Sequence, residues 1–331
     1  MAFLGKIKHL YDYIYRQRIV REAYPMLTRI SRLKLQNEGA IGVVFMLHHV
    51  ATKDKTKIPT NEDLKVSPCF LEDIIIKYRK RGFEFINLDE LSQISLHKKN
   101  VKFPFVVFTI DDGYLDNYTN ALPVFQRQNV PFAIFVATDF IDKKAILWWD
   151  SIENLIHQNK EIITNDGKIY PCITFQQRLD TFRLLRDRIL RLNQQNLIEE
   201  LNLLFSHYDI DWLEPVKKQT MTWEQIRELN LHPLCTIGAH TVSHPALNKI
   251  SEERFNYEIS ECINKLESVI GGKIHHFAYP YGTTNEIGDR ERELITKYGF
   301  DTIFFANGGC ITETNIYHTE ELPRFYLHEN N

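Results

Sequence analysis

Val106 to Ile110 is an apolar run of β-branched and aromatic residues, broken only by Thr109, and it stops abruptly at Asp111, Asp112 and Gly113. Such a run reads as a strand buried on both faces, as in a parallel sheet. The two carboxylates then stand at the C-terminal end of that strand, where α/β sheets and barrels gather their loops and handle ligands. Neighbouring residues of an extended chain point to opposite sides, so the pair can be divided between tasks, one to a metal and one to a proton. Gly113 lets the backbone turn sharply behind them. Taken alone, the same residues also make an ordinary Asp-Gly turn.

Successive strand and helix patterns surround this run. Gly42 to Leu47 predicts a strand ending at His48 and His49. Ser67 and Pro68 are cap and first-turn residues for a helix over Phe70 to Arg81, closed by Gly82. A strand is expected over Phe83 to Leu88, a helix over Asn117 to Arg127 and a strand over Pro131 to Ala137. Later, Thr222 and Gln225 form a capping-box pattern for a helix to Leu231, followed by a strand over Leu234 to Gly238. Ile274 to Ala278, Thr302 to Ala306 and Leu322 to Leu327 complete the strands, with a helix to Tyr298 between the first two. Repeated βα units of this kind imply an α/β fold.

The alternation breaks between about 148 and 214. Trp148, Trp149 and Asp150 open this stretch, and one long polar helix is expected over Gln176 to Phe205, with Leu179, Phe182, Leu185, Ile189 and Leu192 on one face. It reads as a helical insertion, serving either as a lid or wall for substrate or simply as packing.

With 331 residues the chain can form one large barrel or two ordinary domains. Its formal net charge of -3 gives no reason to expect nucleic acid. Five widely spaced cysteines, with no Cys-x-x-Cys pair, suggest reduced thiols and argue against a zinc ribbon. No apolar run approaches the roughly 18 to 20 residues that cross a bilayer, and no secretory signal pattern is evident. A cytoplasmic location is therefore expected. Residues 1–40 form a distinct segment in which Phe3, Leu4, Ile7, Leu10, Tyr11 and Ile14 recur at helical spacing among many lysines and arginines. This basic amphipathic helix either packs on its own domain or a partner, or lies peripherally on an anionic membrane.

Two further strand ends carry chemistry. The strand at Leu234 to Gly238 delivers Ala239-His240-Thr241-Val242-Ser243-His244-Pro245. If the loop enters a helical turn, His240 and His244 share a face about 5 to 6 Å apart at Cβ, suiting two ligands of one metal. Two neutral imidazoles with one carboxylate leave positions open for water and substrate, as in catalytic sites. The third landmark is Ala278-Tyr279-Pro280-Tyr281-Gly282, a tight turn whose amides can point at a developing oxyanion.

Taken together, Thr109-Ile110-Asp111-Asp112-Gly113, His240-Thr241-Val242-Ser243-His244-Pro245 and Ala278-Tyr279-Pro280-Tyr281-Gly282 resemble, in order and in strand context, the polysaccharide deacetylase family, carbohydrate esterase family 4. Leu47-His48-His49-Val50 and Thr222-Trp223 also look familial, and the resemblance spans roughly residues 41–327. It implies an irregular, incomplete (β/α) barrel of about seven strands over residues 41–331, interrupted by the helical insertion and preceded by the N-terminal helical extension. By the same resemblance Asp112, His240 and His244 bind a divalent metal, zinc by preference, with cobalt, manganese and nickel as alternatives. Asp111 is then the general base, and the backbone amide of Tyr281 the oxyanion donor.

Two positions depart from the family pattern. Ala278 stands where many relatives place an arginine that tethers the base, and Arg324 can reach the same carboxylate from the closing strand. The family's late acid histidine has only a loose match in His328, and His48 competes for that role. Trp148, Trp149, Trp223 and Tyr114 are candidate sugar-stacking surfaces. The implied substrate is an N-acetylated amino sugar of a cell-surface polysaccharide or of a lipid- or nucleotide-linked glycan precursor, with acetate released. The rival readings are a metal-dependent hydrolase of a non-sugar amide and a catalytically silent carbohydrate-binding relative.

Overall fold

Strand Phe105–Asp112 is buried along its whole length. It pairs in parallel with Ala40–Leu47 on one side and Phe132–Val136 on the other. The computed structural model describes residues 39–96 and 104–329, so the basic segment expected as an N-terminal helix lies outside the described residues. From Phe132–Val136 the parallel sheet continues through Cys235–Ala239, His276–Ala278, Thr302–Phe305 and Leu322–Pro323. Phe325–Tyr326 then pairs with Ala40–Leu47, so seven parallel staves in chain order return to the first. The barrel is irregular because Cys235–Ala239 and His276–Ala278 share only the Ala239–Phe277 pairing.

Side-chain alternation sorts each strand between two cores. Val106, Phe108 and Ile110 pack with Leu71, Ile75, Val124 and Phe125 from the covering helices. Phe105 and Val107 instead join Val44, Phe135, Ala278, Phe304 and Leu322 from the other strands, which fills the barrel interior. Thr109 and Asp111 continue this inward series. A carboxylate is thus carried to the top of an apolar barrel core, where it has to find a partner.

Local chemistry shifts several of the expected boundaries. The strand expected over Phe83 to Leu88 shrinks to Glu84–Phe85, because Asn87 and Glu90 form a capping box that starts helix Leu88–Ser95. The helix expected from Asn117 begins as a π-turn, Asn117–Ala121, and becomes α-helical at Leu122–Gln128. Pro123 has no N–H to return to the preceding turn, which favours that wider start. The closing strand splits at Arg324, with its two halves pairing different neighbours.

The insertion is built differently. It comprises helix Trp148–Gln158, the antiparallel pair Glu161–Ile163 and Ile169–Pro171, and helices Phe175–Ile189 and Leu197–Leu204. The single long helix expected over Gln176 to Phe205 is therefore two. Gln194 donates its side-chain amide to the carbonyls of Ile189 and Leu192, while Asn193 accepts from the Gln195 N–H, so polar side chains end one helix and start the next turn. Trp148, Ile152, Phe182, Leu185, Ile189, Leu201 and Trp212 form a core separate from those of the barrel. Among the described residues no helix is long and apolar enough to cross a membrane.

Candidate active site

Asp111 meets Arg324 across the barrel mouth. Arg324 Nη1 and Nη2 donate to the two carboxylate oxygens at 2.6 and 2.7 Å, a bidentate fork, and Nη1 also reaches Thr109 Oγ1. The guanidinium lies over the rings of Phe135 and Phe304, and its backbone N–H donates to Phe305 O, which locks the side chain inward. Burial opposes the charge on Asp111, yet the Arg324 guanidinium and nearby His240 hold its carboxyl below the ordinary range. It is therefore an anion at neutral pH.

Asp112 ends the strand with φ 77, off the extended conformation. Its Oδ1 lies 3.4 Å from His240 Nε2 and 3.3 Å from His244 Nε2. The three ligand atoms fall within 4.8 Å of one another. His240 Nδ1 sits 2.7 Å from Ala278 O; a carbonyl only accepts, so Nδ1 carries a proton and Nε2 is the nitrogen turned toward Asp112. Burial lowers the pKa of His244 to about 4 against the pull of Asp112, so its ring is neutral at pH 7. Asp112 Oδ1 is buried with no hydrogen-bond partner among the described residues. An orphaned anionic oxygen facing two imidazole nitrogens fits a divalent cation.

The loop carrying the histidines is not helical, contrary to the spacing argument. Thr241 and His244 have φ of 68 and 59, and Pro245 disfavours a helical His244. Glu258, buried on helix Glu252–Ile270, shapes it by accepting from the N–H groups of Val242 and Ser243 and from Ser243 Oγ. The imidazoles meet with ring centroids 5.0 Å apart all the same.

The third motif forms the opposite lip. Tyr281 and Gly282 both have positive φ, 59 and 69, and a Cβ on Gly282 would lie 2.6 Å from that of Ala306. Only glycine fits there. Among the described residues the Tyr281 N–H donates to no backbone carbonyl outside regular elements and to no side chain. Its ring packs edge-on to His244, and its hydroxyl accepts from Trp148 Nε1 at 3.2 Å.

These groups open into a pocket of about 310 Å³. Asp112 and His244 line it together with His48, Tyr114 and Tyr326 from the barrel, Trp148 and Trp149, Phe182 and Arg186 from the insertion, and Tyr281 and Thr283. His48 Nδ1 is buried without a hydrogen-bond partner, and burial lowers its pKa despite the pull of Asp112 and Asp111. His328 does not line the pocket: its ring stands edge-on to Tyr326, and its charged neighbours are Asp63 and Lys53. Trp223 is placed elsewhere too, donating to Asp142 at 2.6 Å beneath the Lys265 ammonium. Sequence reasoning passed over Arg186; its spacing of four from Phe182 on one helix was the only signal.

A family model described as polysaccharide deacetylase matches residues 98–303. Among solved structures, the deacetylase PplD of Streptococcus pyogenes, in complex with acetate, is 15% identical with TM-score 0.56, covering 86% of this chain and 92% of that one. IcaB from Ammonifex degensii is 17% identical with TM-score 0.57, covering 88% and 93%. The de-N-acetylase from Aggregatibacter actinomycetemcomitans is 16% identical with TM-score 0.55, covering 86% and 94%. At such identities these likenesses show the fold, an α/β barrel. A search of curated proteins gives no match. The family model covers more than half of the chain, including all three motif strand ends, and the chain accordingly belongs to the polysaccharide deacetylase family, hydrolases of N-acetyl amide bonds.

Proposed function

We propose that this protein is a metal-dependent N-deacetylase of an N-acetylated amino sugar, carried by a cell-surface polysaccharide or by a lipid- or nucleotide-linked glycan precursor. The observation that carries the reading is the Arg324–Asp111 fork standing one residue from the Asp112, His240 and His244 cluster. Asp112, His240 and His244 would hold the ion, zinc by preference for a set of two imidazoles and one carboxylate. Such an ion lowers the pKa of water and polarises the acetamide carbonyl.

Asp111 takes the proton of the attacking water, and Arg324 keeps that carboxylate ionised and oriented. The water oxygen bonds to the acetyl carbon while the Tyr281 N–H donates to the oxyanion that forms. The carbon–nitrogen bond then breaks as the amine takes up the proton that Asp111 received, relayed by His48 on the pocket wall, so the products are acetate and a free amino sugar. Trp148, Trp149 and Tyr114 present aromatic surfaces to the pocket, which favours a sugar over a linear amide.

The test is metal content together with acetate release from N-acetylglucosamine oligomers, for the wild type and Asp111→Asn. The variant is expected to keep its metal and lose about 10²- to 10⁴-fold in rate, the usual contribution of a general base. Undiminished acetate release by Asp111→Asn would remove the base assignment. Reconstitution with zinc, cobalt, manganese or nickel then identifies the ion that supports turnover.

A further inference from the structure

We infer that the pocket selects an N-acetylated sugar bearing an anionic group, phosphate or carboxylate, and that Arg186 is the residue that binds it. The inference rests on the deacetylase reading for the reaction, but its own ground is the wall of the pocket. Arg186 and Phe182 lie four apart on helix Phe175–Ile189 and both face the pocket. Phe182 is 1% exposed and anchored in the core of the insertion, so that turn of the helix is fixed.

The guanidinium has no strong partner. Its one ion pair among the described residues is with Asp187, its neighbour in sequence, at 3.8 Å, and that carboxylate is 63% exposed. Neighbouring arginines of the insertion are engaged: Arg188 donates to Thr164 and Asp166, and Arg178 to Cys172 O. Arg186 thus keeps a planar fork of donors available, the geometry that matches phosphate and carboxylate bidentately.

Among the described residues that line the pocket, none forms an ion pair with Arg186. Asp112 is the only carboxylate among the described lining residues, and it faces the two histidines at the floor. The remaining polar lining, including Thr60, Asn61 and Thr283, is neutral. Arg186 and Tyr281 line the same pocket, on its insertion side and its barrel side. Since His244 and Asp112 line that same pocket of about 310 Å³, one bound sugar derivative can meet both the cation and the reacting centre. A neutral chitin-like oligomer leaves that fork unused, whereas an anion next to the N-acetyl sugar fills it.

The experiment compares wild type, Arg186→Gln, Arg186→Lys and, as a charge control, the exposed Arg183→Gln on four probes. One is neutral, tri-N-acetylchitotriose. Three are anionic: a nucleoside diphosphate N-acetylglucosamine, a polyprenyl diphosphate N-acetylglucosamine in micelles, and an oligosaccharide alternating glucuronate with N-acetylglucosamine. Both acetate release and equilibrium binding by calorimetry are read. Arg186→Gln is expected to lose about 10- to 100-fold in affinity and kcat/KM on the preferred anionic probe, through KM, as for loss of a hydrogen bond to a charged group. The loss on the neutral trimer is expected to be several-fold smaller, Arg186→Lys to recover part of the binding, and Arg183→Gln to match the wild type. Which anionic probe shows the loss identifies the source of the charge. Equal losses on neutral and anionic probes, or unchanged binding in Arg186→Gln, overturn the anion subsite. Arg186-dependent binding without acetate from any probe would instead sustain the subsite and overturn the deacetylase reading.

Discussion

The floor and the wall of the pocket are made by different means. The floor consists of strand ends: Asp111 and Asp112 finish one stave, His240 follows another, and Arg324 interrupts the last. Each is held by the barrel itself, through ladder pairing and a buried fork. The wall comes from helices that pack mostly on one another around a second core. The floor can therefore fix atoms to the tolerance a proton transfer requires, whereas the wall can be rebuilt for a new substrate without disturbing the barrel. On the proposed reading, chemistry and selectivity are carried by separately stabilised parts.

The sharpest way to break that division is Asp112→Ala. Removing this carboxylate deletes one of three converging ligand atoms, and the expected result is loss of bound metal and a fall of at least about 10³-fold in turnover, given the several kcal/mol that metal electrostatics contribute. The helices of the insertion should keep their fold, because Trp148 and Phe182 pack in a core to which Asp112 does not belong, while Trp149, which packs on His244, reports any local change. Metal analysis and the thermal unfolding transition followed by far-ultraviolet circular dichroism check the two halves of the statement. Loss of helical signal from the insertion in the variant would show floor and wall to be one cooperative unit.

The contrast also explains what was legible in the sequence. Strand ends announce themselves: an apolar run that stops at Asp111 and Asp112, or a strand that delivers His240, has few alternative uses. Arg324 could be suspected for the same reason, lying on the closing strand, although its fork depends on the strand splitting at that very residue. The wall gave weaker signals. Gln194, whose side chain stops one helix of the insertion, reads as just another polar position in a helical pattern. Arg186 looks like any surface arginine until the fold places it on the pocket wall. The helical-turn argument for His240 and His244 reached the right neighbours by a wrong route, since Glu258, distant in sequence, bends the loop. Trp223 shows the converse: a residue of plausible chemistry is spent on packing and on Asp142.

Arg324→Met tests how much of the floor's stability lies in one pair. The substitution leaves the Asp111 carboxylate buried without its partner, which costs about 3 to 5 kcal/mol. The pH dependence fixes the cause. A carboxyl whose folded pKa is lowered contributes stability above its unfolded value and loses it as pH falls through the folded one. Urea unfolding should therefore show a wide gap between wild type and variant at pH 7 that narrows as Asp111 protonates at acid pH. A gap that stays constant with pH would assign the loss to packing of the guanidinium over Phe135 and Phe304 rather than to charge.

The smallest expected effect lies where wall and floor meet. Asp150 sits in the first turn of helix Trp148–Gln158, and one of its carboxylate oxygens is buried with no hydrogen-bond partner among the described residues. Burial raises its pKa to about 6, against the pull of His49. A raised acid has the opposite sign to Asp111: the folded state holds the proton more tightly, so stability falls as pH rises from near 4 to about 6 and stays lower above that. A shift of this size corresponds to about 1 to 3 kcal/mol after solvent relaxation, more than the ~0.3 to 1 kcal/mol that a carboxylate gains in a helix's first turn. Asp150→Asn is thus expected to raise the melting temperature at pH 8 and to leave it nearly unchanged at pH 4. If the gain is absent at pH 8, water reaches Asp150 in solution, and the seam between insertion and barrel is looser than either core. Substrate contact with Trp148 and Trp149 would then have to tighten it.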